Sequence, residues 1–162
     1  MLFPGRFIEI GVGKETTRNT ALAAAARWVK HIEANILAKA QKVVDDTVRG
    51  QLEDSDGGRV VRKWFEGDLG GILHVDVLGY ILTNLYGAPT TTTVTGAVKQ
   101  HVFNLVQGID HPTLSLFKKD DDVEQKVYNG GVIKSLSISA TTEDYVRFTA
   151  GIMAKGEASN AS

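Results

Sequence analysis

Hydrophobic and polar positions alternate near the start of the chain. Ile8, Ile10 and Val12 fall on one side and Phe7, Glu9 and Gly11 on the other, which predicts a strand over residues 7–12. The polar run 13–20, with Thr16, Thr17, Arg18 and Asn19, predicts a loop. The two-residue period returns near the end, where Val132, Leu136, Ile138 and Ala140 oppose Ser135, Ser137 and Ser139. Val146, Phe148, Ala150 and Ile152 alternate beyond a turn at 141–144, so two antiparallel strands are expected there.

The middle of the chain is less uniform. Residues 27–44 carry two patterns: Val29, Ile32, Ile36, Ala40 and Val43 fit a helical stripe, while Trp28, Ile32, Ala34, Ile36, Ala38 and Ala40 fit one face of a strand. The Ala, Lys and Gln content favours helix, a weak preference that sheet packing can override. Glu53, Asp54, Ser55, Asp56, Gly57 and Gly58 lie between two apolar runs, as at the tip of a long hairpin or extended loop. Residues 60–75 predict a strand with bends or bulges at Gly67, Gly70 and Gly71. Residues 76–86 form the clearest helix. Asp76 can cap its amino end, Leu78, Leu82 and Leu85 share one face, and Gly87 with Pro89 closes it after Tyr86. Beyond it, residues 90–93 predict a loop, 98–106 and 113–117 two strands, 118–124 a charged turn, and 156–162 a polar terminus or the start of a linker.

The expected fold class is therefore mainly β (α+β): one domain over residues 1–155, with a single flanking helix. A chain of 162 residues can bury a core without disulfides or metal, and a hydrophobic fraction of 43% lies far from the disordered regime. Eighteen basic against nineteen acidic side chains give a net charge of -1, so no overall positive field would hold DNA. The absence of cysteine removes disulfides, thiolate metal sites and a cysteine nucleophile. The most apolar stretches, 21–26 and 77–82, fall far short of the roughly 20 residues that span a bilayer, and residues 1–11 lack a signal-peptide pattern, so no membrane insertion is expected.

Candidate chemistry is sparse. His31, His74, His101 and His111 lack the spacing of a zinc site. Gly11, Gly13, Lys14, Glu15 and Thr16 superficially suggest a phosphate loop, but Ile8 stands where its first glycine belongs and Glu15 where its hydroxyl belongs. Aligning Gly57 with the invariant glycine of a calcium loop puts Leu52 and Lys63 at ligand positions, so that reading fails as well. Asp120, Asp121 and Asp122 form a solvated turn or, alternatively, carboxylates that face a DNA channel and keep the polyanion from sticking. No Gly-x-Ser-x-Gly elbow is present. Trp28, Trp64, Phe103, Tyr145 and Phe148 are not interleaved with a basic stripe and fit core or interface positions. Neither catalysis nor a cofactor is expected.

Three stretches, in this order, resemble phage tail tube proteins. The first is Phe7-Ile8-Glu9-Ile10-Gly11-Val12-Gly13-Lys14-Glu15-Thr16, followed by an Ala-rich loop and Trp28-Val29-Lys30-His31-Ile32-Glu33. The second is Trp64-Phe65-Glu66-Gly67-Asp68, leading into the helix that ends at Leu85-Tyr86-Gly87. The third is Tyr128-Asn129-Gly130-Gly131-Val132-Ile133-Lys134-Ser135-Leu136-Ser137-Ile138, then Val146-Arg147-Phe148-Thr149-Ala150-Gly151. The resemblance favours a strand over 27–44. It implies a β-sandwich or half-barrel of antiparallel strands with one flanking helix and a long protruding loop or hairpin.

It further implies a virion protein, assembled in the host cytoplasm into homo-hexameric rings that stack into a hollow conduit for DNA ejection. Its partners would be itself, other tail proteins such as the tape measure and terminator, and DNA only in passage. Related proteins often carry a second similar domain, so this chain either uses one domain per subunit or continues beyond Ser162. Asp45, Asp46, Arg49, Gln51, Glu53, Asp54, Asp56 and Arg59 would form an inter-subunit contact loop, and Asp120, Asp121 and Asp122 a lumen-facing turn. A tail terminator or head-to-tail joining ring is the alternative within the virion, and contractile and type VI secretion tubes share the architecture. An alternative of another class is a small-ligand-binding β-barrel lined by Trp28, Trp64 and Phe148.

Overall fold

The computed structural model describes residues 8–44, 58–108, 111–120 and 124–159. In chain order these form β1 (Ile8–Lys14), β2 (Arg27–Val29), β3 (His31–Val44), β4 (Gly58–Ile72), α1 (Val75–Tyr86), β5 (Thr90–Thr95), β6 (Val98–Val102), β7 (Leu114–Asp120), β8 (Glu124–Ser139), β9 (Arg147–Ala154) and β10 (Gly156–Ser159). All pairings are antiparallel.

The alternation of β1 places Ile10 and Val12 in the core. Its glycines face the other way and are covered too, because Ala25 lies over Gly11 and Leu22 over Gly13. Residues 27–44 are extended rather than helical. β3 pairs with β4 along its whole length, and Ala34 and Ile36 pack against the core. Ladder bonds and burial together outweigh the helical propensity of its alanines and lysines. Close approach of these two strands requires Gly67, where a Cβ would run into the backbone carbonyl of Asn35.

Strand β8 organises the sandwich. Its first half, up to Gly131, pairs with β7, and its second half, Val132 to Ser139, pairs with β9. β10 extends the β9 side of the ladder along the first half of β8. Two sheets result: β2-β1-β7-β8 with β10, and β8-β9-β4-β3. Gly130 sits at the change of direction with φ 64°, a left-handed conformation that glycine adopts without strain. Between the sheets lie Ile10, Val12, Phe65, Leu69, Leu116, Tyr128, Ile133, Phe148 and Ile152, closed on one side by Val77 and Ile81 of α1.

Several local expectations change. α1 begins after His74, which makes no side-chain cap, and Asp76 sits in the first turn, where it favours the positive end of the helix dipole. The buried face of α1 is Val77, Ile81 and Asn84, and Leu78 and Leu82 line a groove on the outside. Residues 90–95 are a strand, because the β-branched threonines pair with β6. Residues 156–159 are a strand rather than a loose terminus, because the edge of β8 holds them. Lys118, Lys119 and Asp120 end β7 and Glu124 opens β8, so the expected turn is mostly strand. A register shift between Ile133 and Ser135 resets the alternation of β8, burying Ile133 in place of Val132.

Substituting Gly67 by valine is expected to lower the stability of the isolated chain by about 3 kcal/mol. Chemical denaturation of the purified variant against wild type checks this.

Candidate subunit interface

The second sheet has two open edges. Among the described residues no strand lies along the outer edge of β3, and none lies along the edge of β8 once the β7 ladder stops at Gly131, where Asn84 meets Ile133 N and leaves the strand beyond it open. Unpaired edges of this length template the addition of another chain. The four strands alternate in direction, so the two outer edges run oppositely and can pair antiparallel between copies.

Before Phe65, β4 is not paired with β9, and among the described strands only β3 is hydrogen-bonded to it, so the distal halves of β3 and β4 form a two-stranded arm. Val43, Val44, Val60 and Val61 on this arm are exposed. Of the expected contact loop, Arg59 lies in β4 opposite Val43, in a strand rather than a loop, while Asp45, Asp46, Arg49, Gln51, Glu53, Asp54 and Asp56 lie outside the described residues. Asp120 is the last residue of β7, half-buried opposite Ile8, and Asp121 and Asp122 lie outside the described residues.

The outer face of the second sheet is mainly hydrophilic, with Leu37 exposed among its polar side chains. Strand alternation and pairing put Asn35, Glu66, Asp68, Ser135, Ser137 and Thr149 on one surface. Glu66 accepts hydrogen bonds from Lys134 Nζ and, at 3.3 Å, from the Trp64 indole. The Lys134 hydrogen bond, then that of Trp64, hold its carboxyl below the ordinary carboxylate range. Arg62 stacks over the Trp64 ring at 5.3 Å, completing a small network at the root of the arm.

Two buried polar side chains, whose anchoring role the sequence does not show, hold these surfaces in place. Glu15 is only 4% exposed. One carboxylate oxygen accepts from Gly130 N at 2.8 Å and Ser115 Oγ at 3.0 Å; the other accepts from Asn19 N at 2.8 Å and from Thr113 Oγ1. Four donors on one carboxylate offset its desolvation without a cation. Asn84, 2% exposed, donates to Pro112 O at 2.7 Å and Gly131 O at 3.2 Å and accepts from Ile133 N at 2.7 Å. It ties α1 to the bend of β8. The His111 ring lies between two backbone carbonyls, with Nε2 2.7 Å from Val106 O and Nδ1 3.3 Å from Asn84 O. Only position hints at these roles: Glu15 follows a strand, and Asn84 is a polar residue inside an apolar helical stripe.

The ligand-barrel reading does not survive. The sheets do not close on themselves. Phe148 is fully buried, Trp28 is exposed against the first sheet, and Trp64 lines a shallow notch beside Lys155, so the three share no cavity. The space left in the core is about 10 Å³, too small for any ligand. Among the described residues no three His, Asp or Glu side chains converge as metal ligands.

The molecule is thus an antiparallel β-sandwich with one flanking helix, whose open edges and exposed apolar strips, rather than a cleft, are its prominent surfaces. The chain belongs to the phage tail tube protein family, whose model matches residues 5–162. It is a structural protein of the virion tail and not an enzyme. No curated protein matches the sequence. Among solved structures it is similar to the tail of an empty gene transfer agent particle of C6 symmetry, at a TM-score of 0.56 and 11% identity, covering 99% of this chain and 100% of the other. It is similar also to a protein of the native gene transfer agent virion, at 0.54 and 12% identity, with 99% and 100% covered. The SPP1 tail tube matches at 0.52 and 9% identity over 95% of this chain and 77% of the other.

Replacing Glu15 by alanine leaves four donors, three of them buried, without their acceptor and is expected to cost about 3 kcal/mol or more, read by thermal or chemical unfolding. For Glu66, a folded pKa below its unfolded value adds stability above the ordinary carboxylate range and loses it as pH falls through the lowered value. Lys134→Ala should move the Glu66 midpoint upward in an NMR titration.

Proposed function

We propose that six copies of this chain close into a ring through their second sheets, and that such rings stack into the hollow tube through which DNA leaves the virion. The observation that carries this reading is the pair of oppositely directed, unpaired edges on β3 and β8. Joining β3 of one copy to β8 of the next continues the antiparallel pattern, and a head-to-tail contact of this kind makes a ring when its rotation closes. The C6 symmetry of the similar gene transfer agent tail supports six copies.

Four strands from each of six copies, spaced about 4.8 Å and tilted by about 40°, would form a barrel roughly 45–50 Å across at the backbone. One face of the second sheet is buried against the core, so the face left for the channel is the one bearing Asn35, Glu66, Asp68, Ser135, Ser137 and Thr149. Lys39, Lys134 and Arg147 share that face, but Lys134 is paired with Glu66 and Arg147 with Asp144, so among hydroxyls and carboxylates they give a passing polyanion no continuous cationic track to bind. The β3–β4 arm, with Asp45, Asp46, Arg49, Gln51, Glu53, Asp54 and Asp56 at its far end in sequence, would bridge to the adjacent ring. The tube would assemble in the host cytoplasm and meet the tape measure and terminator proteins.

Electron microscopy of the purified protein tests the proposal. Open-ended tubes built of six-fold rings are expected; monomers at every concentration would overturn it, and rings that never stack would point to a terminator. Deleting residues 51–57 is expected to leave a folded protein, by circular dichroism, that no longer polymerises. Normal tubes from that variant would remove the arm from the ring-to-ring contact.

A further inference from the structure

Helix α1 is apolar nearly all round, with Asp76, Thr83 and Asn84 as its strongly polar positions. A helix of that kind is normally buried on every side. Here Val77 and Ile81 reach the core, but the opposite side is open: Val75 is 86% exposed, and Leu78, Gly79 and Leu82 form the floor of a groove of about 710 Å³. Phe103, Pro89 and His101, from the chain's own β6 and the flanks of β5 and β6, form its far wall, with Lys14 and Arg27 at its rim. Gly79 is unfavourable within a helix, yet a Cβ there would have nothing within 4 Å. The glycine keeps the floor flat where another backbone can approach closely.

The same chain carries a protrusion of matching character. Among the described strands β5 and β6 pair only with each other, and every residue in both is exposed. A two-stranded hairpin of this kind is at best marginally stable in water. Val98 and Val102 flank Gln100 on one face by strand alternation, with Thr90 and Thr92 across from them and Val94 beside them at a register shift, and the opposite face carries Lys99 and the hydrogen-bonded pair Thr91 and His101. The three valines on this side of the hairpin are exposed among the described residues, and the charged and imidazole side chains lie on the other.

We infer that the valine face of the β5–β6 hairpin of one copy seats in the α1 groove of a neighbouring copy. The inference rests on the tube reading, which supplies a second copy as the neighbour, and it adds a contact separate from the sheet edges. Groove and protrusion are different patches of one surface, so the contact is head-to-tail and repeats around a closed ring. Burial of the valines against Leu78, Leu82 and Phe103 removes apolar surface from water on both partners and gives the hairpin the core it lacks.

The absence of native cysteine makes the test direct. The single variants Val98→Cys and Leu78→Cys are mixed, assembled and treated with a short bis-maleimide. The expected result is a cross-linked dimer at about tenfold the yield from the control mixture of Lys99→Cys with Leu78→Cys, since Lys99 lies on the other face. Six-fold tubes in the micrographs with no excess over the control would overturn this contact while leaving the tube reading intact. Dimers from Val98→Cys alone would replace it by hairpin-to-hairpin packing, and protein that stays monomeric would overturn both.

Discussion

A sixteen-residue strand that borders two sheets has to turn between them, and at the turn its peptide groups lose regular ladder partners. In β8 this happens at Gly130 and Gly131, and three of the groups freed there or just beyond are claimed by two buried side chains: Gly130 N by Glu15, Gly131 O and Ile133 N by Asn84. Unmet backbone groups at that depth would be costly, so the sandwich depends on this pair of polar anchors as much as on the aliphatic core around them. Glu15 brings in the loop after β1 and the start of β7, and Asn84 brings in α1. The bend is thus where both sheets, the helix and the first loop are fixed relative to one another.

Turning β8 also creates the surfaces that matter for assembly. Because β7 leaves at the bend, the second half of β8 keeps one edge open, and the chain ends its second sheet on β3 with another. The core is filled within one chain, whereas backbone pairing along these edges, the outer side of α1 and the β5–β6 hairpin are left incomplete. A monomeric protein would protect such edges, and a subunit of a larger assembly has use for them. Similarity to tail structures at 9–12% identity is a likeness of strand order and helix position rather than of particular side chains.

How much of this was legible in the sequence follows from how local each cause is. The alternation around Phe148 and Ile152 and the closing of the helix at Gly87 are short-range effects, and both appear as expected. Misassigned stretches have distant causes. Thr90 to Thr93 become a strand because β6 lies beside them, and Gly156 to Ser159 because β8 does. The leucine stripe of α1 was visible, but which side faces the core was not: the wider stripe of Val77, Ile81 and Asn84 reaches it because Asn84 is held by the bend, leaving Leu78 and Leu82 outside.

By itself the amino-acid sequence determined that the chain is β-rich with one helix, lacks the spaced groups of an enzyme or metal site, and resembles tail tube proteins. Those properties reside in periodicity, composition and the order of motifs, which need no third dimension. Only the tertiary structure decided that residues 27–44 divide into β2 beside β1 and β3 beside β4, that Glu15 is an interior anchor rather than a turn residue, and which edges remain unpaired among the described residues. Each of these depends on what lies across from a residue, and a neighbour about a hundred positions away, as Gly130 is from Glu15, leaves no mark on local pattern.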